Sequence, residues 1–362
     1  MGLIINKTRS FSLLIIILSA FLIYGCTNQG WEYRESEISW VAPIGFGLWG
    51  VCFADSNIGT AVGYEGIIIR TMDGGDSWTS QASGTGNSLQ GVCFYDTMHG
   101  WVVGRDIILY TKDGGNTWIK QDHGRYVSLT GVFCLDTSLV WAVGSDVADN
   151  AAILHTNNGG ATWIPQRTGL KTNLFDVFFS NRDTGIAVGG WCNNCTGSPL
   201  YGGYILHTTN GGTTWNVQYH DTSMMGFYGV YLSDICSGVV VGASGTILRT
   251  TDGGETWIKQ PGGTISDLRD VCFADATTGT AVGGNAFYPY QGGIIIRTTD
   301  SGITWKRQEI PGSNVLLSVA VTDAGRGIAV GFNTIMNTNS GGEPIPRNNF
   351  MGRLLNSHQN QN

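Results

Sequence analysis

Positive charge is scarce in this 362-residue sequence: 20 Lys and Arg stand against 27 Asp and Glu, for a net charge of −7. If a leader containing Lys7 and Arg9 is removed, the basic count falls to 18 and the balance to −9. Such a surface disfavours nucleic acid and any broad phosphate-binding face, since both need a cationic field. Histidine is rarer still, with 6 in the chain, and no His pair flanks the single C-x-x-C, Cys192-Asn-Asn-Cys195. A metal site would lack partners there, so no metal and no cofactor is expected. Helical periodicity is nearly absent. A long apolar run occurs only at Phe11–Tyr24, too short for a plain membrane span.

That run has the form of a leader. Lys7 and Arg9 give a basic start, Phe11–Tyr24 an apolar middle, and Ile23-Tyr24-Gly25-Cys26 resembles a bacterial lipobox. Residues 1–25 are therefore expected as a lipoprotein signal peptide, with cleavage before a lipidated Cys26 and residues 26–38 as its tether. Acyl chains on one cysteine would hold the protein at a bilayer surface. The expected address is the cell envelope of a bacterium, on the outer membrane or a periplasmic face. Secretion without a lipid is the alternative.

What is abundant is glycine, 54 residues, and it recurs at fixed places. An apolar run ending in Thr is followed seven times by Asp/Asn-Gly-Gly-x-Thr-Trp or a variant of it. The copies are RTMDGGDSW (70–78), YTKDGGNTW (110–118), HTNNGGATW (155–163), HTTNGGTTW (207–215), RTTDGGETW (249–257), RTTDSGITW (297–305) and a decayed NTNSGGEPI (337–345). A second signature precedes each, as in GVCFADSNIGTAVG (50–63) and DVCFADATTGTAVG (270–283). It reads as a short strand, an Asp turn and a strand of small and β-branched residues ending at Gly. A third strand, the Asp-Gly-Gly turn and a Trp-led fourth strand complete the unit. Four strands in each 40–52-residue step predict an all-β chain, a seven-bladed β-propeller over 39–346. A polar tail, 347–362, follows. Ser39-Trp40-Val41 stands where a fourth strand would, so the N-terminal strand is expected to close the last blade and remove a free edge.

The Gly-Gly-x-Thr-Trp phrase resembles the Asp-box, or BNR repeat. Its residues read as scaffold, the Asp or Asn side chain bonding turn N–H groups and the Trp packing between blades. They are Asp73, Trp78, Asp113, Trp118, Asn158, Trp163, Asn210, Trp215, Asp252, Trp257, Asp300 and Trp305. The polar residue opening each copy (Arg70, Tyr110, His155, His207, Arg249, Arg297, Asn337) reads as the solvated side of the third strand. Cys52, Cys93, Cys134 and Cys272 read as small buried hydrophobes that need not pair. Cys192 and Cys195, in an insertion, suggest a local disulfide.

Function is expected on the opposite face, where links between strands two and three and between blades vary in length. These links supply the candidate partner-binding residues. Arg105, Arg125 and Arg269 could hold a carboxylate bidentately. Asp146 and Asp149 lie in the blade 3 insertion. Trp191, Tyr201, Tyr219, His220, Tyr228, Phe287, Tyr288 and Tyr290 form an aromatic set suited to a protein client or, alternatively, a glycan. They could equally pack on one another to order long loops. No catalytic residue is assigned. Glu65 beside Tyr64, and Glu309, are the only clear glutamates for a sialidase-like reaction, and no Arg-Ile-Pro opening motif precedes blade 1.

The joint pattern GVxFxDxxxGxAVG followed by G-x-I-x-R/H-T-x-D-G-G-x-T-W covers about 40–345. It resembles the photosystem II stability/assembly factor family and its relatives in non-photosynthetic bacteria. That resemblance implies a seven-bladed propeller that binds a membrane-protein client without catalysis. The arginine-rich patch of photosynthetic members has no counterpart here, where arginines are scattered, so the photosystem client is not implied. Xyloglucan-cleaving glycosidases share T-x-D-G-G-x-T-W but pair two propellers, and this chain has room for one.

Overall fold

The computed structural model describes residues 30–33, 47–148, 150–191, 202–285, 292–308, 310, 314–322 and 326–342. Seven four-stranded antiparallel sheets stand as blades around a central channel. In six blades the strands follow chain order from the channel outward. The seventh runs Leu316–Val321, Gly327–Gly331, Thr334–Gly342 and then Gly30–Tyr33. The N-terminal strand therefore closes the ring, as the incomplete last repeat requires. The strand that does so is Gly30–Tyr33, pairing Tyr33 with Met336 and Glu32 with Asn337. Part of the segment expected as tether is thus a propeller strand, and Ser39–Val41 lie outside the described residues. The reason is register: a four-residue strand suffices to cap the last blade, and its sequence carries no repeat signature.

The repeat residues form these elements for local reasons. Each second strand, such as Gly59–Gly63, is buried on both faces, which selects Ala, Val and Gly. In blades 1, 2, 4 and 6 its first glycine faces the aromatic that ends the preceding strand. A Cβ at Gly59 would lie 2.5 Å from the Phe53 ring, and Gly100, Gly185 and Gly279 meet Phe94, Phe179 and Phe273 in the same way. The Asp between the two strands closes their turn: Asp55 Oδ1 accepts the N–H groups of Asn57 at 2.8 Å and Ile58 at 2.7 Å.

The Asp-box is likewise a local hydrogen-bond device. Asp73 Oδ1 accepts from Ser77 N at 2.9 Å and from Thr71 Oγ1 at 2.7 Å, while Ser77 Oγ donates to Oδ2 at 2.6 Å. Thr117 and Thr256 hold the Asp113 and Asp252 carboxyls down to about 2. Gly74 and Gly75 take φ of 76° and 95° in this turn, a region open to glycine. The box tryptophans pack across blade boundaries: Trp78 joins Ile328 and Ala320 of blade 7, and Trp305 joins Val239 and Val241 of blade 5. A glutamine three residues past the Trp adds a clamp that the sequence reading missed. Gln121 Nε2 donates to Gly159 O at 2.7 Å in the next blade, and Trp163 Nε1 donates back to Gln121 Oε1 at 3.1 Å.

Blade-to-blade packing also corrects the reading of the third strands. Their polar residues are not on a solvated side. Arg70, His207, Arg297 and Asn337 are buried. Arg70 Nη2 donates to Thr97 O of the next blade at 2.9 Å, with its guanidinium 5.1 Å from the Phe94 ring. His155 stacks on Trp141, and burial lowers the pKa of both His155 and His207. A sheet sandwiched between two others has no solvated face, so these side chains became interblade contacts.

A second correction concerns cysteine. Cys93 and Cys134 form a disulfide with Cα atoms 6.0 Å apart, stapling the innermost strands of blades 2 and 3. The two fall one residue apart in repeat register, and that offset lets one sulfur reach the neighbouring strand. Cys52, Cys236 and Cys272 are free. Cys192 and Cys195 lie outside the described residues.

Candidate binding site at the channel mouth

The innermost strands all carry the same irregularity. Pairing of Leu48 with Gly63 and of Gly50 with Val62 leaves Trp49 as an extra residue, a β-bulge. Each of the other six blades repeats it. The extra residues are Trp49, Gln90, Thr130, Phe175, Tyr228, Arg269 and Leu317, and all seven line one end of the channel. A bulge frees its residue from the pleat and re-aims the side chain. This end carries the variable links, so the ring sits at the centre of the loop-bearing face.

Below the mouth the channel narrows. Gly50, Gly91, Gly131 and Gly229 allow adjacent first strands to approach closely; a Cβ at Gly50 would lie 2.7 Å from Gln90 O. Blades 4 and 6 place Asp176 and Asp270 there. Asp176 accepts Val177 N at 2.8 Å and, from the next blade, Val230 N at 2.9 Å. Asp270 accepts Val271 N at 2.7 Å, Ser318 Oγ at 2.7 Å and Val319 N at 2.9 Å. Burial, reinforced by the charge of Asp270, pushes the Asp176 carboxyl up to about 7, and burial raises Asp270 also. Deeper still, Phe133, Phe178, Tyr231 and Phe273 follow one another with ring centroids 4.7, 4.9 and 5.4 Å apart. The channel encloses about 310 Å³.

At the mouth the chief polar group is Arg269. Its Nη2 donates to Asp267 Oδ2 at 2.8 Å, and its guanidinium lies 4.4 Å from the Tyr228 ring centroid. Tyr228 meets Phe175 edge-on at 5.3 Å. Asp267 is itself fixed, accepting Ser244 N at 3.0 Å. Arg269 Nε has no hydrogen-bond acceptor.

The structure places the remaining expected residues unevenly. Arg105, Arg125 and Trp191 are exposed on the loop-bearing face. Asp146 serves its own loop: burial raises its carboxyl, but Asn150 and Ala148 donors and the Arg125 charge outweigh that and hold it low. Tyr219 packs edge-on against Phe227, and His220 stacks on Tyr204 at 4.1 Å. Asp149, Tyr201, Phe287, Tyr288, Tyr290 and Glu309 lie outside the described residues. Glu65 occupies a tight turn at φ 51°. Sequence reasoning found Tyr228 and Arg269 but missed their ring, although one signal was available: the residue before each G/D/S-V-x-x step varies while its neighbours do not. Among the described residues, no group of three His, Cys, Asp or Glu could hold a metal.

Residues 31–163 match the sequence profile of the family described as photosynthesis system II assembly factor YCF48. Among solved structures, one described as YCF48 bound to D1 peptide superposes with a TM-score of 0.64 at 18% identity, covering 86% of this chain and 97% of that one. YCF48 from Cyanidioschyzon merolae gives 0.64 at 18%, covering 86% and 98%. The GH74 enzyme of Niastella koreensis gives 0.66 at 16%, covering 84% of this chain but 54% of that one, so this chain spans about half its length. No curated protein matches. The resemblance to photosystem II assembly factors therefore holds in sequence for residues 31–163 and in fold across the propeller.

Proposed function

We propose that this chain is a non-enzymatic binding protein of the bacterial cell envelope, lipid-anchored at Cys26, that assists assembly or stability of a membrane or envelope protein complex. The observation that carries the reading is the ring of bulged residues at the centre of the loop-bearing face, where a repeated scaffold presents side chains of different chemistry. The likeness to a propeller described as bound to D1 peptide supports a protein client. The acidic balance and scattered arginines favour a client other than a photosystem, in the non-photosynthetic branch of the family. The carboxylates near the mouth, Asp176 and Asp270, engage both oxygens with N–H donors of their own and the next blade, which suits strand locking rather than acid–base work on a sugar.

The test is affinity purification from detergent-solubilised membranes. Wild type is expected to retain one membrane protein in near-stoichiometric amount, and a variant with Phe287, Tyr288 and Tyr290 changed to Ala to lose it. Failure of wild type to retain any would sink the reading. The anchor is tested separately: palmitate labelling should be present in wild type and absent in Cys26→Ser, and equal labelling of both would remove it.

A glycan is the second reading, favoured by exposed Trp49, Tyr126 and Trp191 and by the GH74 likeness. Saturable binding to a glycan array without a retained protein would select it.

A further inference from the structure

The bulge ring separates what packing dictates from what it leaves open. The residue before each bulge is Leu in six blades and Phe227 in the seventh, and the residue two positions after it is Val in all seven. These are core positions, with Leu48, Leu89, Leu129 and Leu174 all buried. The bulged position itself is aromatic or aliphatic in blades 4, 5, 7 and 1 (Phe175, Tyr228, Leu317, Trp49), basic in blade 6 (Arg269) and polar in blades 2 and 3 (Gln90, Thr130). The ring is therefore two-sided. An apolar arc with one guanidinium set into it faces a short polar arc.

Arg269 is held for use rather than consumed by its surroundings. Asp267 takes one Nη, Tyr228 supports the guanidinium plane, and the side chain keeps 31% of its surface exposed. The carboxylates beneath do not compete for it, because Asp176 and Asp270 point their oxygens at backbone N–H groups. A planar acceptor that reaches Arg269 from the channel would lay whatever it is attached to against Tyr228 and Phe175. A carboxylate has the matching geometry, and an aromatic or aliphatic body suits the faces and edges offered.

We propose that the channel mouth is a receptor for an apolar group bearing a carboxylate, the body seated on Phe175 and Tyr228 and the carboxylate on Arg269. This rests on the reading of this face as the contact surface and names the chemistry it selects. The carboxylate could be that of a free aromatic acid, of a peptide C-terminus, or of an acidic side chain beside an apolar one.

Ligand-observed NMR titration with N-acetylphenylalanine, N-acetylphenylalaninamide and acetate tests the chemistry. The acid should bind saturably, with the amide and acetate each at least about tenfold weaker, a difference of about 1.4 kcal/mol. Arg269→Lys keeps the charge but loses the planar fork and should also cost about tenfold. Tyr228→Leu should weaken binding, and Ile235→Ala, exposed on the opposite face, should leave it unchanged. Peptides ending in a free Phe, ending in an amidated Phe, or carrying an internal Phe-Asp then identify the source, since each source retains a different member of the set. Equal binding of acid and amide, or wild-type affinity in a folded Arg269→Leu variant, overturns the proposal. If wild type still co-purifies with a membrane protein in that case, the ligand chemistry is wrong and the contact face stands. If it retains nothing either, both fall.

Discussion

Asp176→Asn should be markedly more stable relative to wild type at pH 8.5 than at pH 5, with the gain growing up to about pH 7 and level above it. Asp176 is partly buried between blades 4 and 5, and burial together with the Asp270 charge raises its carboxyl to about 7 from an ordinary 3.8. A group whose folded pKa is raised contributes stability that is complete below the unfolded pKa and is lost as pH rises through the folded one. The window is therefore about pH 4 to 7, and the loss amounts to roughly 4 kcal/mol at 1.36 kcal/mol per unit. Asn cannot ionise, so the variant escapes this loss. It keeps one carbonyl oxygen for Val230 N or Val177 N and forfeits the other bond, which costs about 1 kcal/mol at every pH. Guanidinium midpoints for both proteins across pH 5–8.5 isolate the effect from all other titrating groups. A difference that does not move with pH would mean that Asp176 ionises freely in the folded protein.

Loss of the Cys93–Cys134 disulfide should lower the melting temperature by about 3–6 °C. The bond closes a loop across a sequence separation of 41. A loop of that size restricts the unfolded chain by about 4 kcal/mol in the entropic account, and measured effects run about 2–4 kcal/mol. At about 2.1 cal/mol/K per residue, a propeller over 39–346 shifts its midpoint by about 1.5 °C for each kcal/mol. Calorimetry of a Cys93→Ala/Cys134→Ala protein, beside wild type in strong reductant, checks it. Chain made in a reducing cytosol should melt with the reduced form, and exported chain with the oxidised one. An unchanged midpoint after verified reduction would show that the blades hold each other without the bond.

How much of this was legible in the sequence follows from the range of each interaction. The Asp-box turn closes within five residues, so Asp73, Thr71 and Ser77 could be assigned from spacing alone. The GVCF strands, their Asp turns and the closure of the ring are also local or periodic facts. Interblade contacts are not. Arg70 reads as a surface residue until Phe94 and Thr97 of the next blade are brought against it, and Cys93 reads as a lone hydrophobe until Cys134 arrives from a neighbour one residue out of register. The bulges are invisible for a related reason. Nothing in Leu-x-Gly-Val announces that x is skipped by the ladder; that depends on strand curvature around a channel. Once the bulges are known, the variability at x becomes readable as side chains re-aimed toward the channel mouth.

On the reading proposed here the loop-bearing face, not the Asp-box face, meets the partner. A photo-crosslinking amino acid at Tyr126, exposed beside the mouth, and another at Ile235, exposed in a turn on the opposite face, test it most directly. Irradiated in intact cells, the position 126 protein should form one dominant adduct with a membrane or envelope protein, and the position 235 protein none. Adducts from position 235 alone, or from both positions with the same partners, would contradict the claim.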